Sequence, residues 1–221
     1  MEGETRCTIR KINVVLTADG SKTLYSEKFG EHYHSLFGAA SESKHVFIER
    51  GYLASTANPI SVLEIGFGAG LNALLTLQQA VRLQQPTYYE TIELYPVDEK
   101  TFFELSDDSV FLSLHTAAWE QPVEITPFFV LHKRKSDLLH CNFTRRFDVV
   151  YLDAFSPAVQ PEMWTRDIFT NLYAAMNPDA ILTTYCAKGE VRRNMQSAGF
   201  VVERLPGAAG KREMLRAIVP K

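Results

Sequence analysis

Gly66, Gly68 and Gly70 follow the apolar run Val62-Leu63-Glu64-Ile65, and a helical pattern begins just after them. Glycine admits φ > 0 and lets a ligand lie against bare backbone. A strand, a tight turn and a helix N-terminus together make a seat for a nucleotide-like ligand. The spacing is GxGxG and no lysine follows, so the turn is not a P-loop. Carboxylates recur where later strands should end. Glu93 closes the run from Thr87, Asp137 follows residues 123–131, and Asp153 follows Phe147-Asp148-Val149-Val150-Tyr151-Leu152. Tyr185 closes a further run from Ile181. A carboxylate like Glu93 can accept hydrogen bonds from both hydroxyls of a ribose, and one like Asp153 can take a proton.

These residues meet only if the elements that carry them lie side by side. Apolar runs at 61–65, 87–94, 123–131, 147–152 and 181–185 read as strands. The third is interrupted by Pro127, which suits an irregular or edge position. Helical patterns separate them at 70–82, 98–105, 109–118, 161–176 and 190–198. Strands alternating with helices imply a parallel, doubly wound α/β sheet whose ligands bind beyond the strands' C-terminal ends. Residues 200–205 and 214–219 are joined by Pro206 to Lys211 without a helix, which suits an antiparallel pair. Before the repeat, residues 8–16 and 23–25 flank the turn Ala18-Asp19-Gly20 as a hairpin. Residues 26–37 read as a helix with Ser26 as cap and Phe29, Tyr33, Leu36 and Phe37 on one face. A second helix is expected around Val46-Phe47-Ile48, and Asn177-Pro178-Asp179 reads as a turn. His32, His34 and His45 fall in this part of the chain. On a helix the first two point to different faces, which suits surface or capping roles better than a metal site. The expected division is an extension over residues 1–58 and a main domain over 59–221.

The 221 residues are 46% hydrophobic and 22% charged, enough for one sizeable core. The net charge of -3 excludes a general polyanion binder. The charge is uneven, however. Residues 188–221 hold eight bases and three acids, so this end is compatible with a phosphate-rich partner. Cys7, Cys141 and Cys186 are scattered, with neither zinc spacing nor a disulfide framework. No apolar run approaches the ~20 residues of a membrane helix, and Glu2, Glu4 and Arg6 do not suit a signal peptide. The expectation is a cytoplasmic protein with no membrane contact.

Glu64-Ile65-Gly66-Phe67-Gly68-Ala69-Gly70 resembles the first motif of class I (Rossmann-like) S-adenosyl-L-methionine-dependent methyltransferases. A closer resemblance lies downstream, in Asp153-Ala154-Phe155-Ser156-Pro157, Pro161-Glu162-Met163-Trp164, Leu182-Thr183-Thr184-Tyr185, Gly189-Glu190-Val191-Arg192-Arg193 and the block from Gly207 to Leu215. With Ser26-Glu27-Lys28-Phe29, Tyr33 and Thr91-Ile92-Glu93, these stretches resemble the MnmC-type methyltransferase family of the tRNA wobble-uridine pathway, which makes 5-methylaminomethyl-2-thiouridine. That family occurs joined to a flavin-dependent oxidoreductase domain and as a stand-alone enzyme. No second glycine-rich motif precedes Lys221, so the chain resembles the stand-alone form.

The resemblance implies S-adenosyl-L-methionine as cofactor, held around Glu64, Gly66, Gly68, Gly70, Asn72, Glu93, Asp137 and Asp153. It implies methyl transfer to the amine of 5-aminomethyl-2-thiouridine in the anticodon stem-loop of tRNA. A methyl group transfers only to a lone pair, and an amine near neutral pH is mostly protonated. Asp153 is the expected catalytic carboxylate. Phe155 and Pro157 are expected to wall the acceptor pocket with Tyr185. Lys188, Arg192, Arg193, Lys211 and Arg212 are expected to meet tRNA phosphates. The family usually has asparagine where this chain has Gln160, which bears on local loop geometry. An aminopropyltransferase, or another small-amine methyltransferase of the same fold, is the alternative.

Overall fold

The computed structural model describes residues 12–208 and 210–221. It begins with a small antiparallel sheet of β1 (Ile12–Leu16), β2 (Lys22–Ser26) and β3 (Glu31–His32). Helix α1 (Ala39–Ser43) follows and runs into a π-helical turn over Lys44–Glu49. The main repeat is β4 (Ile60–Ile65), α2 (Leu71–Leu83), β5 (Thr87–Ile92), α3 (Glu99–Leu105) and α4 (Ser109–Thr116). It continues through β6 (Pro122–Thr126), β7 (Phe129–Arg134), β8 (Phe147–Leu152), α5 (Arg166–Ala174), β9 (Met176–Thr184) and α6 (Gly189–Ser197). It ends with β10 (Val201–Pro206) and β11 (Glu213–Ile218).

Eight strands form one sheet in the order β10-β11-β9-β8-β4-β5-β7-β6. The pairs β4–β5, β4–β8, β5–β7 and β8–β9 are parallel, while β11 runs antiparallel to both β9 and β10. This is the mostly parallel α/β architecture expected from the alternation of elements. The order reverses at β4, which has β5 on one side and β8 on the other. A crevice therefore opens beyond the C-terminal ends of β4 and β8. Both strands are buried on both faces because their side chains alternate between two apolar layers. Leu63, Ile65, Val150 and Leu152 pack with Trp164, Ile168 and Val191 on one side. Val62, Val149 and Tyr151 pack with Phe47, Leu77 and Leu114 on the other. Each fully buried side chain of this kind contributes about 1.5–3 kcal/mol, so the strand ends form a rigid platform.

Several expectations are corrected. Residues 26–37 are not a helix. The chain turns at Gly30, whose φ is +65° and whose N–H bonds the Ser26 carbonyl at 2.8 Å, and then enters β3. The aromatic spacing that suggested a helix serves tertiary contacts instead: Phe29 and Tyr33 both pack on Phe155. The expected third strand is a hairpin, with Pro127 between β6 and β7 where its missing N–H costs no ladder bond. The expected turn at Asn177-Pro178-Asp179 lies inside β9, absorbed by a register shift opposite Phe147 and Val149. The helix expected over 161–176 is split. A 3-10 turn spans Pro161–Trp164, and Thr165 then caps α5 by accepting the Ile168 N–H. Of the first expected strand, residues 8–11 lie outside the described residues.

The N-terminal sheet is tied to the rest of the molecule by Asp19. Its carboxylate accepts the Ser21 and Ser41 N–H groups and three hydroxyls, those of Thr17, Ser21 and Ser41. Burial opposes its charge, yet these bonds hold the carboxyl well below the usual carboxylate range. The segment between β3 and α1 is thereby set across the crevice.

Candidate active site

The glycine turn lies at the switch point. Gly66 donates its N–H to the Ile92 carbonyl at 2.9 Å, which joins the ends of β4 and β5. Its φ is +94°, and an added Cβ would stand 2.8 Å from the Asp153 carbonyl oxygen. At Gly68 a Cβ would stand 2.8 Å from the Tyr33 ring. These two bare positions let strand ends and lid close on the turn while leaving backbone facing a cavity of about 300 Å³. The Asp153 N–H bonds the Ile65 carbonyl at 3.1 Å, so the parallel ladder itself brings Asp153 beside the turn.

Asp153 points into the cavity. Its Oδ2 accepts a hydrogen bond from Asn72 Nδ2 at 2.8 Å. Burial pushes its carboxyl up to about 7; Asn72 and Lys211 oppose the rise and Glu42 adds to it. The group thus changes charge near neutral pH, as a proton acceptor for an amine should. Glu93 lines the cavity at the end of β5, where Oε2 accepts the Gly68 N–H at 3.1 Å and Oε1 the Tyr95 N–H at 2.7 Å. Asp137 also lines it and caps a 3-10 turn by accepting the Leu139 N–H at 3.0 Å.

The lid comes from residues 29–42. Phe29 stacks on Phe155 with ring centroids 4.4 Å apart, and Tyr33 meets the same ring edge-on at 5.0 Å. Glu31 accepts the Ser156 N–H at 3.1 Å and the Ser156 hydroxyl at 2.5 Å. Glu42 accepts the Ser35 N–H and is ion-paired with Lys211, whose ammonium lies 4.1 Å from the centre of the Tyr185 ring. The Tyr185 hydroxyl donates to the Ala154 carbonyl at 2.9 Å. Gln160 accepts the Phe155 N–H at 3.1 Å and so holds the loop after Asp153. Five carboxylates (Glu31, Glu42, Glu93, Asp137 and Asp153) face one lysine across the lining, an imbalance that suits a cationic guest.

Of the residues singled out in the sequence, Gly66, Gly68, Glu93, Asp137, Asp153, Phe155, Tyr185 and Lys211 line this cavity. Glu64, Gly70, Asn72 and Pro157 are outside the lining. Glu64 is fully buried beneath the turn beside Asn72, Thr91 and Tyr89, and burial pushes its carboxyl well above the usual range. Burial thus favours its protonated form. Asn72 is buried in the first turn of α2 and reaches the cavity only through Asp153. Lys188, Arg193 and Arg212 are exposed and Arg192 is half-buried, all outside the lining. Sequence reasoning missed Glu31 and Glu42, and it gave His34 a surface or capping role where the structure puts it in the lining. The signal available was Gly30, which breaks the helical pattern just before them.

The residues present fit S-adenosyl-L-methionine. Bare backbone at Gly66 and Gly68, a carboxylate at the end of β5 and an acidic lining suit a nucleoside that carries positive charge. Among the described residues no group of three or more His, Cys, Asp or Glu could hold a metal ion.

A family model described as S-adenosyl-L-methionine-dependent methyltransferase matches residues 130–220. The tRNA 5-methylaminomethyl-2-thiouridine biosynthesis bifunctional protein MnmC of Nitrosospira multiformis is 31% identical over 231 residues, covering 89% of this chain and 35% of that protein. The protein of the same name from Magnetococcus marinus is 30% identical, covering 90% of this chain and 32% of that protein. The chain thus spans about a third of the length of these curated relatives. The crystal structure of MNMC2 from Aquifex aeolicus superposes with a TM-score of 0.78 at 25% identity, covering 97% of this chain and 74% of that one. Spermidine synthase from Thermotoga maritima shares the fold, with a TM-score of 0.60 at 14% identity over 96% of this chain and 69% of that one. By its motifs, its fold and these likenesses, the chain belongs to the MnmC-type family of S-adenosyl-L-methionine-dependent methyltransferases.

Proposed function

We propose that this protein methylates the amine of 5-aminomethyl-2-thiouridine at the wobble position of tRNA, giving 5-methylaminomethyl-2-thiouridine, in the cytoplasm. The observation that carries the reading is Asp153, a buried carboxylate that titrates near neutrality in an acid-rich cavity beside the glycine turn. Bound in the cavity, the cofactor supplies an electrophilic methyl group on a positively charged sulfur. Gly66 and Gly68 give it backbone to rest on. Glu93, at the end of β5, is placed to meet ribose hydroxyls, and Asp137, in the same lining, to meet an exocyclic amine. Asp153 takes one proton from the acceptor's ammonium and so exposes the lone pair. The Tyr33 and Phe155 rings in the lining offer flat apolar surface to the target base, and Phe29 backs Phe155.

Tritiated S-adenosyl-L-methionine and tRNA bearing 5-aminomethyl-2-thiouridine test the reading. Label is expected in that tRNA and absent from tRNA lacking the aminomethyl group. The acidic lining would also suit a polyamine, so putrescine with decarboxylated S-adenosyl-L-methionine forms the second arm. Propylamine transfer in that arm, without label in tRNA, overturns the proposal.

Lys188, Arg193 and Arg212 are exposed, and we place them against anticodon-stem phosphates. Replacing all three with alanine is expected to weaken tRNA binding several-fold and to flatten the dependence of log Kd on log salt by about one per lost phosphate contact. Filter binding between low and physiological salt reads this. An unchanged slope would place the tRNA on another face.

A further inference from the structure

We infer that His34 is a positioning residue for this reaction, one that turns its Nε2–H to the Asp153 carboxylate and keeps it ionised when cations fill the cavity. The inference rests on the role proposed above for Asp153. The two side chains are 7% and 9% exposed, line the same cavity, and place Nε2 3.9 Å from Oδ2. Thr23 orients the ring. Its Oγ1 accepts the His34 backbone N–H at 3.1 Å and lies 3.2 Å from Nδ1. One of the two lone pairs of the Thr23 hydroxyl is engaged by the backbone, and we assign its hydrogen to Nδ1. The ring proton then resides on Nε2, on the side of Asp153; this tautomer is assigned from the bond pattern.

The distance is too long for a hydrogen bond in the structure as it stands, and an approach of about 1 Å makes one. Among the described residues Asn72 is the one side-chain donor to Asp153 Oδ2, so a second donor has a place to act. The acceptor's ammonium yields one proton to Asp153 and keeps the N–H bond pair as its lone pair. Asp153 must therefore begin each turnover as a carboxylate.

Histidine suits this position because it donates without adding charge. The groups that face it are Glu31 on its own segment, Glu42 on α1, Asp153 and Tyr185 at the ends of β8 and β9, and Lys211 between β10 and β11. Burial pushes its imidazole down to about 4, with Glu42 opposing the fall and Lys211 adding to it. The ring is neutral at working pH. A lysine or arginine here would repel both the sulfonium and the acceptor's ammonium.

His34→Gln keeps an N–H donor and His34→Leu removes it. Asp153 carboxyl titration by 13C NMR, with S-adenosyl-L-methionine bound, and the pH dependence of kcat are measured in both. His34→Leu is expected to raise the Asp153 pKa and the acidic limb of kcat by about one pH unit. It should lower kcat at neutral pH by about tenfold and leave cofactor Kd within about twofold. His34→Gln should recover most of each change. If the leucine variant melts below assay temperature, His34→Phe replaces it. An Asp153 titration that is unchanged without the donor overturns the inference, whatever the activity. A shifted titration in a protein that fails to methylate tRNA upholds it and overturns the functional reading instead.

Discussion

Asp153→Asn is expected to retain cofactor binding and to lose about 10²- to 10⁴-fold in kcat, the range by which positioned acids and bases accelerate proton transfer. The amide keeps the shape of the carboxylate and still accepts from Asn72, so the loss reads out proton transfer rather than packing. Tritium transfer to tRNA gives kcat, and calorimetry gives cofactor Kd. Turnover that survives near pH 7 would remove Asp153 as proton acceptor. The wild-type rate should rise with pH through an acidic limb at or below about 7, because the base form is required and bound cations favour it. The variant should lack that limb.

The same substitution has a sign-specific effect on stability. The folded Asp153 carboxyl, near 7, lies above its free value of 3.8, so its contribution is fully present below about pH 4 and is lost as pH rises to about 7. His34 acts in the opposite sense. Its folded value near 4 lies below 6.5, so its contribution is present above 6.5 and lost as pH falls toward 4. In the wild type the two trends offset one another between pH 4 and 6.5. In Asp153→Asn the His34 trend is left without that offset. The melting temperature of the variant relative to wild type should therefore climb from pH 4 to pH 7 without cofactor. A constant difference would mean that Asp153 is not buried as a titrating acid.

Gly66→Ala is expected to abolish useful cofactor binding. Gly66 has φ +94°, and a non-glycine residue in such a region costs about 1–3 kcal/mol. The new methyl would also stand 2.8 Å from the Asp153 carbonyl, and no flexible side-chain end is there to yield. Relief requires β4 and β8 to part at the point where the turn and Asp153 meet. A loss of about 3 kcal/mol corresponds to roughly 100-fold in Kd, which calorimetry resolves. The melting temperature without cofactor should fall as well. Wild-type affinity in this variant would place the cofactor away from the turn.

The parallel repeat was legible because strands buried on both faces are written as unbroken apolar runs, and Val62 to Ile65 and Phe147 to Leu152 are such runs. Gly66, Glu93 and Asp153 were legible because a parallel sheet puts every strand's C-terminal end on one edge. Pro127 was read as a blemish in one strand, and it is the turn between two. The stretch from Ser26 to Phe37 failed as a helix because its aromatic spacing records contacts with Phe155, a partner 122 to 126 positions away. Local periodicity holds no information about such a partner. Glu64 was read as a ligand-facing acid, and a two-residue alternation turned it inward beneath the turn.

By itself, then, the sequence determined the sheet, the glycine turn and the row of carboxylates, since each depends on neighbours within a strand or a turn. Only the tertiary structure decided which acids face the cavity, that Glu31, His34 and Glu42 cross over to it, and that Asp153 titrates near neutrality. Those properties come from burial and from charges brought together by distant segments, and a carboxylate's affinity for its proton is set by what surrounds it in space.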